Sequence, residues 1–166
     1  EIVQRGLDLG WECLSRVDTI DQQTAASMKK GGCVRVFFGL ESGNDAVLAL
    51  MNKQTTTRDA RRAVFTMKEA GIQVGAFLIV GYPGETDNTI LDTLRFASSL
   101  PLDYLSFTLP YPLHGTALFK RVKHKIKKDW VSTGGFISDH VLIFDSEFSE
   151  TKMKFAILKG QVQFGL

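Results

Sequence analysis

Three short stretches carry most of the groups that could handle a ligand: GLESGND at 39–45, VGYPGET at 80–86 and LPYPLHGT at 109–116. Each follows an apolar run and places acid, hydroxyl or imidazole side chains among glycines. Glycine lets the chain turn sharply and lets a ligand approach bare backbone, while the polar groups fix its orientation. A single turn of this kind reads as a connector, whereas three on one rim read as a shared pocket. Two cations stand near them in sequence. Arg16 stands at the end of the first apolar run and has either the rim or a salt bridge to Asp18 open to it; Lys53 is either a rim charge or a solvated lysine after a helix.

Positioning these stretches requires a frame, and the chain alternates short apolar runs with longer amphipathic ones. The runs are WECLSRV (11–17), VRVFFGL (34–40), QVGAFLIV (73–80) and DYLSFTLP (103–110). The third is apolar throughout, as in a parallel strand covered on both faces. Helical patterns fall at 21–30, ending at Gly31 and Gly32, at 44–52, and on to Gly71 with Ala60, Ala63, Val64, Met67 and Ala70 on one side and Thr57 as cap. Further helices are expected at 86–99, capped by Thr86, and at 116–127. Four strand-helix units predict a parallel sheet with right-handed crossovers, whose strand ends open on one ligand-binding face.

With 166 residues, a net charge of +2 and no low-complexity linker, the chain has the composition of an ordinary single α/β domain. No apolar run approaches the roughly 20 residues of a membrane-spanning helix, and no signal peptide is visible. Two cysteines, Cys13 and Cys33, make no disulfide framework and fit a reducing, cytoplasmic setting. The chain opens on Glu1 rather than methionine, so a piece of a longer protein is expected.

The stretch GLESGNDAVLALMNKQTTTRDARRAVFTMKEAGIQVGAFLIVGYPGET followed by YPLHGT resembles the second half of a radical S-adenosylmethionine (radical SAM) domain, over residues 10–120. The branch it resembles often carries a cobalamin-binding domain upstream and includes enzymes like the anaerobic Mg-protoporphyrin monomethyl ester cyclase. The resemblance implies a partial (β/α) barrel of six units, of which the four strands here would be the third to sixth. Residues 1–130 would be barrel and 131–166 an extension on or beside it. It implies a SAM site at Glu41, Ser42, Gly43 and Lys53, with Ile79, Gly81, Pro83, Gly84 and Glu85 on the adenine side and Arg16 and His114 at the rim. Lys53 stands where relatives carry an arginine for the SAM carboxylate, and a lysine lacks that bidentate fork. Glu85 has a second reading as a helix-starting acid, and His114 as a surface or packing residue.

By the same resemblance, the complete protein would use SAM and a four-iron four-sulfur cluster to generate a 5′-deoxyadenosyl radical and act on a small-molecule substrate. Tetrapyrrole chemistry is one candidate, and cobalamin is a candidate further cofactor. Such clusters need three thiolates, normally as CxxxCxxC. Cys13 and Cys33 do not supply them, so no metal ligand is expected in this chain, the two thiols are read as buried and inert, and the chain alone is expected to be inactive. The radical step needs no protein nucleophile, and no Ser/His/Asp or H-E-x-x-H arrangement is present. A sheet with helices outside would leave an apolar inner face and two edges, so the chain is expected either to self-associate or to cover that face with its own C-terminal segment. In that segment a strand at 141–144 and a helix from Ser149 with Phe155, Leu158 and Val162 on one side are expected. Leu118 and Phe119 just before the run KRVKHKIKK (120–128), and Val122 and Ile126 within it, fall at helical spacing, so it reads as a lysine-rich helix face rather than a nucleic-acid surface. An RNA-modifying member of the family, and a non-catalytic half-barrel that binds a nucleotide or a partner, are the rival readings.

Overall fold

The computed structural model describes residues 1–127 and 142–165. Four strands, β1 (Trp11–Ser15), β2 (Cys33–Glu41), β3 (Gln73–Ile79) and β4 (Tyr104–Thr108), form one sheet in chain order with every pair parallel. The crossovers contain α1 (Gln22–Lys30), then α2 (Asp45–Leu50) and α3 (Thr57–Glu69), then α4 (Asp87–Ser98). After β4 come α5 (Ala117–Val122) and α6 (Glu150–Phe164).

Local chemistry sets these limits. Thr86 caps α4 as expected, its hydroxyl accepting from Thr89 N–H. The cap of α3 is Thr56 rather than Thr57. Thr56 Oγ1 accepts from Asp59 N–H while the Asp59 carboxylate accepts from Thr56 N–H. Only Thr56 has an acid three residues on, whereas Thr57 would face Ala60.

Alternate strand residues build the core. Val36, Phe38, Leu40, Val74, Leu78 and Phe107 are buried in one cluster with Ala63, Val64, Met67 and Leu94 of the helices. The residues between them point the other way, and Phe37, Gly39, Phe77, Ile79, Ser106 and Thr108 stay partly exposed. QVGAFLIV is therefore covered on one face only, because the helices pack on one side of the sheet and no second layer lies over the other among the described residues.

That second face has an ordered floor. Arg35 donates to Glu12 Oε2 (2.9 Å), Gln73 Oε1 (3.0 Å) and Tyr104 Oη (2.7 Å), tying all four strands together. Above it the rings of Phe37 and Phe77 stack 5.5 Å apart. Gly75 lies beneath the Phe37 ring, where any Cβ would collide with it.

α6 packs on the helix side, against α4 and β4. Met153 and Ile157 are buried, and Gly160 lets α6 approach Phe107 and Leu94. The stripe Phe155, Leu158 and Val162 faces solvent instead of packing. Helical spacing alone could not tell it from the opposite stripe, which holds the glycine that permits close approach. The C-terminal helix thus extends the outer layer and does not lie over the inner face.

The helix expected at 116–127 is shorter. After α5 the chain makes a 3-10 turn at Lys123–Lys125, and Ile126 leaves the helical stripe to form an antiparallel bridge with Phe144. The strand expected at 141–144 is reduced to that bridge, residue 141 lying outside the described residues. The boundary at 130/131 also lies outside them. No helix among the described residues is long and apolar enough to cross a membrane.

Candidate functional site

Because β2, β3 and β4 are adjacent and parallel, their carboxyl ends share one rim. Glu41 pairs with Leu78 and Ile79 with Thr108, and Val80 N–H donates to Thr108 O at 3.0 Å. The units that follow the three strands meet at Gly84 (φ +92°), whose vacant Cβ position lies 3.1 Å from Leu50 Cδ1 and 3.4 Å from Arg121 Nη2.

At the end of β2 the Glu41 carboxylate accepts from Lys53 Nζ at 3.0 Å. Each side chain is 24% exposed, so the pair is sheltered but reachable. The carboxylate lies over the bare backbone of Gly39. Arg16, at the end of β1, grips Asp18 through two bonds of 2.9 and 2.8 Å. That grip, helped by Lys53 nearby, holds the Asp18 carboxyl below its ordinary value. Arg16 is therefore at the rim and in the salt bridge at once.

Ser42 and Gly43 face away from the open side. Ser42 is fully buried, its hydroxyl 3.1 Å from Thr93 Oγ1, and Gly43 N–H donates to the same oxygen at 3.0 Å. Gly43 also lies so close to α4 that a side chain would meet Phe96 and the Thr93 backbone. These two residues anchor the loop to the helix layer. Thr93, the partner of both, carries no distinguishing mark in the sequence, being a threonine inside an amphipathic helix.

The turn after β3 is closed from within by Glu85. One carboxylate oxygen accepts from Gly81 N–H (2.7 Å) and Tyr82 N–H (2.8 Å); the other is buried without a partner among the described residues. Burial pushes this carboxyl up to about 7, against the opposing effect of the Tyr82 and Gly81 bonds. Glu85 is thus neither a solvated helix-starting acid nor open to solvent. Gly81 (φ +85°) is covered on its Cβ side by Met153 of α6, 2.8 Å from the position a Cβ would take. Ile79 remains half-buried on the inner face, and Pro83 lines a hollow of about 160 Å³ with Tyr82, Arg121 and Phe148. His114 is exposed, its ring 4.2 Å from that of Phe119.

The cysteines lie elsewhere. Cys33 begins β2 and Cys13 is central in β1; Cys33 is buried, while Cys13 is only half-buried, because β1 is an edge strand. Desolvation raises both thiols, which opposes the thiolate form. Among the described residues no group of three His, Cys, Asp or Glu could hold a metal ion.

Besides the exposed Arg16–Asp18 pair, the rim therefore offers a sheltered cation and anion side by side over bare backbone, with the glycine turn after β3 and the half-buried Ile79 on the neighbouring strand.

The chain is 39% identical over 119 residues to an uncharacterized methyltransferase of Pyrococcus horikoshii, spanning 72% of this chain and 26% of the relative. It is 29% identical over 129 residues to the anaerobic magnesium-protoporphyrin IX monomethyl ester cyclase of Rubrivivax gelatinosus, spanning 76% and 23%. The chain thus covers about a quarter of the length of the curated relatives it matches. Among solved structures, the coproporphyrinogen III oxidase of Escherichia coli, a radical SAM enzyme, superposes with a TM-score of 0.66 at 19% identity, over 95% of this chain and 32% of that one. The four parallel units are accordingly part of a barrel of that type. The sequence profile of the radical SAM superfamily matches residues 2–97, and the chain belongs to that superfamily.

Proposed function

We propose that this chain forms the SAM-holding rim of a radical SAM enzyme, with Glu41 and Lys53 taking the methionyl end of the cofactor. The observation that carries this reading is the sheltered, reachable ion pair over Gly39. The methionyl group bears an ammonium and a carboxylate, and Glu41 and Lys53 match them in charge. Ile79 supplies an apolar wall on the same face, and the Gly81–Glu85 turn fixes its end. A four-iron four-sulfur cluster beside bound SAM would supply the electron that cleaves its sulfonium carbon–sulfur bond, the chemistry characteristic of this superfamily. The cluster does not fit the thiols of this chain, which lie away from the rim and are shifted against ionisation.

For the substrate, we read the similarity to the protoporphyrin ester cyclase as favouring a tetrapyrrole-related small molecule. The test uses the complete protein reconstituted with iron and sulfide. Glu41→Gln and Lys53→Ala are each expected to weaken SAM binding in equilibrium dialysis by about tenfold or more, as for bonds to charged groups. Unchanged affinity in both would overturn the assignment. Formation of 5′-deoxyadenosine is expected to rise with a porphyrin monomethyl ester and not with tRNA; the reverse would favour the RNA-modifying reading.

A further inference from the structure

The backbone at both ends of the Glu41–Lys53 pair is unusual. Ser42 N–H donates to Leu40 O at 2.8 Å, closing a three-residue turn around Glu41, whose φ is +64°. Three-residue turns with a positive central φ are the rare, strained kind, and a left-handed backbone is uncommon outside glycine, asparagine and aspartate. The sheet records the same event, since Gly39 pairs with Phe77 but Glu41 with Leu78, a register shift between them. The turn folds the Glu41 side chain back along its own strand. Its Oε1 lies 2.5 Å, and Lys53 Nζ 3.5 Å, from the position a Cβ on Gly39 would occupy.

At the other end, Asn52 (φ +54°) immediately precedes Lys53. Asn52 N–H donates to Ala49 O (3.0 Å) and Lys53 N–H to Leu48 O (2.8 Å), the paired bonds of a Schellman closure on α2. Among the described residues, Glu41 and Asn52 are the two non-glycine residues with left-handed backbone, and both serve this pair.

We propose that Gly39 and Asn52 are positioning residues: Gly39 leaves the space into which the strained turn lays the Glu41 carboxylate, and Asn52 turns the chain so that Lys53 meets it. Strained backbone persists where the surroundings over-determine it, and such sites favour pre-organisation. Two charges preset at one spot let a zwitterionic ligand exchange one ion pair for two without ordering two flexible stems on binding. This rests on the reading that the pair holds the methionyl end of SAM.

The experiment measures SAM affinity by equilibrium dialysis in the complete, cluster-reconstituted protein, with urea unfolding in parallel. Gly39→Ala is expected to weaken binding about as much as Glu41→Gln, by about tenfold or more. The double variant Gly39→Ala/Glu41→Gln is expected to lose no more than either single one, because both changes remove the same contact. Asn52→Gly should bind like the parent, and Asn52→Val, which resists the left-handed region, should unfold at lower urea and should also bind more weakly under conditions in which both variants are fully folded. Unchanged affinity in Gly39→Ala, or losses that add in full in the double variant, would overturn the role of Gly39; equal affinity of the two Asn52 variants would overturn that of Asn52. If Gly39→Ala fails to fold, the Asn52 pair decides alone, and equal affinity of its two variants then overturns the proposal. If Glu41→Gln itself binds SAM normally, the assignment of the pair to SAM falls and this proposal with it.

Discussion

At the turn after β3 a carboxyl group sits where water hardly reaches, only 2% exposed, and its charge opposes the folded state. Glu85 has its carboxyl raised from an ordinary 4.5 to about 7, chiefly by desolvation. Between those values the folded protein binds the extra proton, so this group's contribution is fully present below about 4.5 and is lost as pH rises through about 7. The shift corresponds to about 3 kcal/mol. In Glu85→Gln the amide oxygen can still accept from Gly81 and Tyr82, but nothing titrates. The expected outcome is that the fall in stability between pH 5 and pH 8, read from urea midpoints, is smaller in Glu85→Gln than in the parent. Asp18, Asp21 and Asp59, whose carboxyls are held below their ordinary values, act in the opposite sense and only at lower pH. An equal pH slope in the two proteins would show that Glu85 is not the group concerned.

At the scale of elements, the contact of α6 with the barrel depends on one missing side chain. A Cβ at Gly160 would stand 2.6 Å from Phe107 Cε2 and 2.8 Å from Leu94 Cδ2. In an open helix Gly→Ala stabilises by about 1 kcal/mol; here overpacking works against it, at about 1–3 kcal/mol for an added methyl group in a filled core. Gly160→Ala is therefore expected to lower stability and to raise hydrogen exchange in α6 before α3. A stabilised variant would mean that α6 sits further out than described. α3 provides the converse case, since its start is set by exposed polar groups. Thr56→Ala removes one half of a reciprocal cap and is expected to cost about 1 kcal/mol in urea unfolding, whereas Thr57→Ala should change little.

For the whole molecule, the decisive feature is a sheet layered on one side. Leu14, 78% exposed on the edge strand β1, and the stacked Phe37 and Phe77 lie on the uncovered face. An open edge beside apolar surface favours association. We expect this chain by itself to self-associate, with the apparent mass in light scattering rising with concentration and falling in Leu14→Lys. A monomer at all concentrations would show that this face is content in water.

The sequence by itself determined the parallel α/β class, the four strands, most helix limits and the family, because alternation, glycine turns and caps are local and survive without contacts. It also marked the GLES, GYPGE and PLHGT turns as a group. Only the tertiary structure decided which members of that group face the open side. Ser42 and Gly43 turn into the helix layer because Thr93 lies opposite, and Glu85 is buried as it closes its own turn on the Gly81 and Tyr82 N–H groups. The outward direction of Phe155, Leu158 and Val162 depends on a glycine three turns along the helix meeting Phe107, a contact between residues far apart in the chain. Facing, burial and pairing are properties of elements packed together, and spacing along one chain does not contain them.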